Sequence, residues 1–160
     1  MEKVYGITER NDQFVVYKNG AVLTFGYGIE GEEGYGYCHS FTHVPTKEEV
    51  LGILLNHINT LTDEKILSGF VWNDIPVWLS TENQFNFKAA YDLAVQTNGT
   101  NLPIKFKLGE INNIPQYYVF DNVEMLADFY NKAIMFIMQA LEDGWEEKDS
   151  ATQWIESLNL

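Results

Sequence analysis

The sequence predicts an α+β fold: an antiparallel sheet built from hairpins, about four helices packed on one face of it, and an N-terminal β arm. Three observations carry that expectation. Apolar runs of strand length come in pairs joined by turn dipeptides, as at Asn19-Gly20 and Asn73-Asp74. Helix-capping sequences precede the segments whose apolar residues recur at 3.6-residue spacing. The order of elements is strands, helix, hairpin, helix, hairpin, helix, helix, and strands joined by short turns favour antiparallel pairing. No Pro- or Ser-rich linker divides the 160 residues, so they read as one domain. Residues 1–44 form its β arm or subdomain and 45–160 its α+β core.

The first hairpin is Phe14–Tyr17 and Ala21–Phe25 around Asn19-Gly20, two residues that tolerate positive φ. Then comes GYGIEGEEGYGYC, with five glycines and three tyrosines. It lacks the Lys and the spacing of a phosphate loop, and Glu30, Glu32 and Glu33 would repel phosphate. The segment reads as a flexible turn rimmed by Tyr27, Tyr35 and Tyr37. Thr46-Lys47-Glu48-Glu49 is a capping box. It opens a helix with Val50, Ile53, Leu54 and Ile58 on one face, ending near Asn59.

Phe70–Trp72 and Ile75–Leu79 form a second hairpin across Asn73-Asp74, with Trp72 and Trp78 placed to pair across its strands. Thr81-Glu82-Asn83-Gln84 caps a helix whose core face is Phe85, Ala89, Leu93 and Val95 or Gln96, stopped by Asn98-Gly99. Ile104–Leu108 alternates as a half-buried strand does, and Tyr117–Phe120 pairs with it across 109–116. Asp121-Asn122-Val123-Glu124 is a third cap. It starts the strongest helix, with Leu126, Phe129, Tyr130, Ala133, Ile137, Ala140 and Leu141 in register and Gly144 as the stop. A short last helix from about Glu146 to Leu158 docks through Trp154 and Leu158.

Charge and composition exclude several classes. The formal net charge is −13, which repels nucleic-acid phosphates and suits a basic protein partner. Cys38 is the single cysteine, so no internal disulfide supports the fold. The first residues, MEKVYGITERNDQ, lack the apolar core of a secretory signal. Ala133–Met138 is the longest strongly apolar run, far short of the roughly 20 residues that cross a bilayer. These features predict no membrane partner and no classical secretion.

Reactive constellations are equally sparse. Cys38, His39 and His43 are the best metal candidates, but zinc takes at least three protein ligands, and neighbouring strand residues point to opposite faces. No D-x-[DN]-x-[DN]-G loop surrounds the glutamates, and no nucleophile motif surrounds a Ser or Cys. The expectation is no catalytic residue, no metal and no cofactor. The one surface singled out is the loop: Tyr27, Tyr35 and Tyr37 with Glu30, Glu32 and Glu33, since tyrosine offers large contact area with one polar tip.

The blocks "ILSGFVWNDIPVWLSTENQFNFKAAYDLAVQT", "LPIKFKLG", "FDNVEMLADFY" and "DGWEEKD" occur in that order within Pro45–Ile155. This pattern resembles a domain of unknown function found in phage and prophage proteins of gut bacteria, near tail and tail-fibre genes. The resemblance supplies no catalytic residues. It implies a virion-associated structural or assembly protein that contacts other phage or virion proteins, or further copies of itself. It also implies a location in the host cytoplasm during assembly and, where the protein is retained, in the virion. A receptor-binding module using the Tyr/Gly loop is the second reading, and a small enzyme ranks behind both.

Overall fold

A computed structural model describes residues 1–159. The class is α+β with antiparallel strands throughout, but among the described residues there are three separate sheets and three helices, where one sheet and about four helices were expected. The chain forms two compact units, Met1–Ile58 with the stretch from Glu147 onward, and Asn59–Glu146.

In the first unit, strands β1 (Glu2–Tyr5), β2 (Gln13–Tyr17), β3 (Gly20–Glu30) and β4 (Glu33–Phe41) form a sheet of order β1-β4-β3-β2. Leu23 and Phe25 of β3 share a core with Val50, Leu54 and Ile58 from the start of helix α1 (Lys47–Ser68). Ala151 and Ile155, from the end of helix α3 (Val123–Ser157), complete it, with Trp154 and Leu158 packed alongside. The α1 capping box forms as expected. Thr46 donates its N–H to the Glu49 carboxylate at 2.8 Å and accepts from the Glu49 N–H at 3.3 Å.

The first turn differs from its expected form. Tyr17 pairs with Gly20, so Lys18-Asn19 make the turn, and neither Asn19 nor Gly20 adopts positive φ. Space, not conformation, demands this glycine: a Cβ there would sit 2.3 Å from the Phe41 carbonyl oxygen.

In the second unit, β5 (Phe70–Trp72) and β6 (Ile75–Val77) form one hairpin, β7 (Ile104–Ile111) and β8 (Ile114–Phe120) another. Asn73 and Asp74 have φ of 49° and 61°, and Asn112 and Asn113 have 51° and 63°, the positive pair that a type I′ turn needs. The stretch 109–116, expected as a connection, is therefore mostly strand around an Asn-Asn turn. The hairpins touch where the Trp78 N–H donates to the Leu108 carbonyl at 2.8 Å. Pro76 has no N–H with which to extend a ladder, which helps keep the sheets distinct. Trp72 pairs with Ile75, so the expected Trp72–Trp78 contact is not made. Trp72 instead enters a core of aromatic rings and donates its indole N–H to Asp128 at 3.0 Å.

Helix α2 (Thr81–Gln96) buries the face opposite to the expected one. Phe87, Ala90 and Ala94 are buried, while Phe85 is 71% exposed and Leu93 is exposed too. The helix carries two apolar arcs, so periodicity alone does not choose between them. The buried arc has the small alanines, which let the helix approach until Phe87 meets Phe106 and Phe129 at 5.0 and 4.9 Å. Its cap is also one residue earlier than expected: Ser80 Oγ accepts from the Asn83 N–H at 3.2 Å. The α3 cap is one residue later, with Asn122 Oδ1 accepting from the Met125 N–H at 2.8 Å.

Two expected helix ends are absent. Helix α1 runs past Asn59 to Ser68, because nothing in NTLTDEKILS breaks a helix. Helix α3 runs through Gly144, absorbing the expected fourth helix. Gly144 is buried and lacks the positive φ of a stop; a Cβ there would lie 2.5 Å from Thr62 Oγ1 on α1. The glycine is a contact point between helices. Ordinarily Gly→Ala inside a helix stabilises by about 1 kcal/mol. Here Gly144→Ala is expected to destabilise by about 1–3 kcal/mol through overpacking. Thr62→Ala in the same chain should recover most of that loss, measured as a double-mutant cycle by urea denaturation.

Candidate functional site

The Tyr/Gly segment is a strand pair to its tip, not a flexible turn. Glu30 pairs with Glu33 across Gly31-Glu32, and of these two only Gly31 has positive φ. Each tyrosine lies over a glycine of the neighbouring strand. A Cβ on Gly28 would lie 2.3 Å from the Tyr35 ring, one on Gly34 3.1 Å from the Tyr27 ring, and one on Gly26 3.5 Å from the Tyr37 ring. Bare glycine backbone is the bed on which these rings rest.

A bulge at Gly26 (φ 68°) divides the six residues singled out by sequence between two faces. Tyr35 and Tyr37 share one, with ring centroids 5.8 Å apart. Lys3 joins them: its ammonium sits 4.0 Å from the Tyr35 centroid and 2.5 Å from the Glu30 carboxylate, which also accepts from the Tyr5 hydroxyl at 2.7 Å. The Lys3 ammonium, then the Tyr5 hydroxyl, hold the Glu30 carboxyl below its usual range. Tyr27 lies on the other face. Glu32 occupies the turn itself and Glu33 starts β4.

His57 lies on a separate element, buried on α1. Its ring is 7% exposed and lies 4.3 Å from that of Tyr37, and Nε2 has no hydrogen-bond partner. Burial, with a smaller effect of the N-terminal ammonium, lowers its pKa to about 4. Cys38, His39 and His43 do not converge: Cys38 Sγ meets Thr24 at 3.5 Å, His39 packs on Phe41 at 4.6 Å, and His43 bonds Glu49 at 3.2 Å. Among the described residues no three His, Cys, Asp or Glu side chains are grouped to hold a metal ion. Among them, too, no helix is long and apolar enough to cross a membrane.

The second unit holds several concavities, among them one of about 300 Å³ lined by Ala94, Val95, Asn98, Val123 and Glu124. A second, of about 500 Å³, is lined by Asp63, Ile66, Leu79, Ser80, Thr81 and Gln84 among others. Ser80 and Gln84 are already committed there: Ser80 caps α2, and Gln84 donates to the Leu79 carbonyl at 2.6 Å. A third, of about 270 Å³, is formed by Met138, Leu141, Glu142 and Trp145 on α3. It belongs to a row of exposed apolar side chains one helix face long: Met135 is 69% exposed, Met138 64% and Trp145 58%. The offsets of three and seven residues place them on one side of the helix. The signal for this row was present in Ala133–Met138, since six consecutive apolar residues cover more of a helix than one buried face.

No protein-family model matches the chain, and no curated protein and no solved structure matches it.

His57 makes stability depend on pH. An unfolded histidine titrates near 6.5. The folded form resists protonation until about pH 4. The contribution is therefore complete above about pH 6.5 and is lost as pH falls through that value toward 4. Between pH 7 and 5 the wild-type chain is expected to lose up to about 2 kcal/mol from this group, and His57→Leu to lack that component. Urea denaturation of both proteins at the two pH values checks it.

Proposed function

We propose that this chain works by contact with other proteins rather than by catalysis, as a virion-associated structural or assembly component of a phage or prophage. The observation that carries the contact reading is the row Met135, Met138 and Trp145 on α3. Large apolar side chains exposed together on an ordered helix are a cost to a free protein and a common mark of an interaction surface. Tryptophan is also among the residues that concentrate binding energy where partners meet. The cavity beside Trp145, at about 270 Å³, falls below the roughly 300–1,000 Å³ of small-molecule sites and suits a single anchoring side chain. The phage setting rests on the resemblance within Pro45–Ile155.

The test is a deletion of the gene in its phage, complemented with wild type or with Met135→Gln/Met138→Gln/Trp145→Ala. All three positions are exposed, so the variant should keep its circular dichroism and lose no more than about 1 kcal/mol of stability. Wild type should restore particle yield and the variant should not. A deletion with full titre, together with absence of the chain from particles and assembly complexes, would sink the proposal.

A further inference from the structure

The geometry points to a specific kind of partner for the α3 row: a basic amphipathic helix, its apolar face laid along Met135, Met138, Leu141 and Trp145 and its cations against Glu142 and Glu146. This deepens the contact reading and rests on it. Three features select that partner over others.

The first is the shape of the row. Met135, Met138 and Trp145 recur as one side of a helix, and the cavity among Met138, Leu141 and Trp145 opens on that side. A row of this kind matches a second helix that offers anchors at comparable spacing. The second is its composition. Methionine is unbranched and polarisable, so it adapts to the differing side chains an apolar helix face presents.

The third is charge. Between Val123 and Glu146, α3 carries five acidic residues, Glu124, Asp128, Glu142, Asp143 and Glu146, against one base, Lys132. Two nearby cations are already taken, Lys132 by Asp128 at 2.9 Å and Lys65 by Asp143 at 2.7 Å, and Lys148, beyond Glu146, is flanked in sequence by Glu147 and Asp149. Glu142 and Glu146, both exposed, have no ion-pair partner among the described residues. The rim that surrounds the apolar row is thus left negative, in a chain of formal charge −13. A second copy would bring the same negative rim. A basic helix neutralises it and is steered toward it.

The experiment uses the full chain and three fluorescent 18-residue peptides: leucine and lysine in amphipathic helical order, the same composition scrambled, and leucine with glutamate in the amphipathic order. Fluorescence anisotropy reads binding, and sedimentation velocity reads self-association. The ordered Leu/Lys peptide is expected to bind, the other two are not, and added salt should weaken the complex. Met138→Gln/Trp145→Ala should weaken it at least tenfold, as loss of a central contact does. Glu142→Lys/Glu146→Lys should abolish binding of the Leu/Lys peptide and create binding of the Leu/Glu one.

Equal binding of the scrambled peptide, or binding indifferent to those substitutions, would overturn the proposal, since general attraction to an acidic protein explains both. If no peptide binds and the chain dimerises through Met138 and Trp145, the basic-helix proposal fails while the contact reading stands. If no peptide binds and the chain stays monomeric, the proposal fails and its foundation weakens with it.

Discussion

The second unit depends on the ring of Phe129. From α3 it reaches Phe70 and Trp72 on β5, Phe87 on α2 and Phe120 on β8, at centroid separations from 4.9 to 6.4 Å. Aromatic pairs of this kind contribute about 0.5–1.5 kcal/mol each beyond the burial of their area. The point matters most for β5 and β6, which have three residues each and form their own two-stranded sheet. An isolated hairpin so short is not stable in water. Phe70 and Trp72 anchor it to the cluster, and the Trp72 indole N–H satisfies its one donor on Asp128. Lys132, four residues on, bonds the same carboxylate, so a single acid serves both the core and the helix surface.

The same economy governs the glycines. Gly20, Gly109 and Gly144 are all positions where a Cβ would come within 2.6 Å of another atom, and none of them is left-handed. At Gly109 that atom is the Pro76 carbonyl oxygen, at the junction of the two hairpins. Glycine in this chain is used more for proximity than for turning.

That use explains which parts of the structure the sequence disclosed. Local chemistry was legible: the Thr46–Glu49 cap, the Asn73-Asp74 turn and the Asn98-Gly99 stop each act within a few residues and form as read. Whatever required knowing a neighbour was not. Gly144 reads as a helix end until Thr62 is placed beside it. The α2 face reads either way until Phe106 and Phe129 receive Phe87. The GYGIEGEEGYGYC segment reads as a loop because glycine is poor in strands. Its strand character comes from rings on the opposite strand that fill the absent side-chain space. The α3 core face was legible too, since Leu126, Phe129, Ala133 and Ala140 are buried as read; Met135 and Met138 fall outside that face, and whether another element covers them is again a matter of neighbours.

The Tyr35 ring resting on Gly28 carries an evolutionary signature. Gly28 and Tyr35 are size-complementary, since a Cβ at position 28 would lie 2.3 Å from that ring, so the two members of the pair are not free to vary alone. Among descendants of this gene, a bulky residue at position 28 should arrive in the company of a smaller one at position 35. Relatives that break the reciprocity would have to bend the ribbon elsewhere to make room.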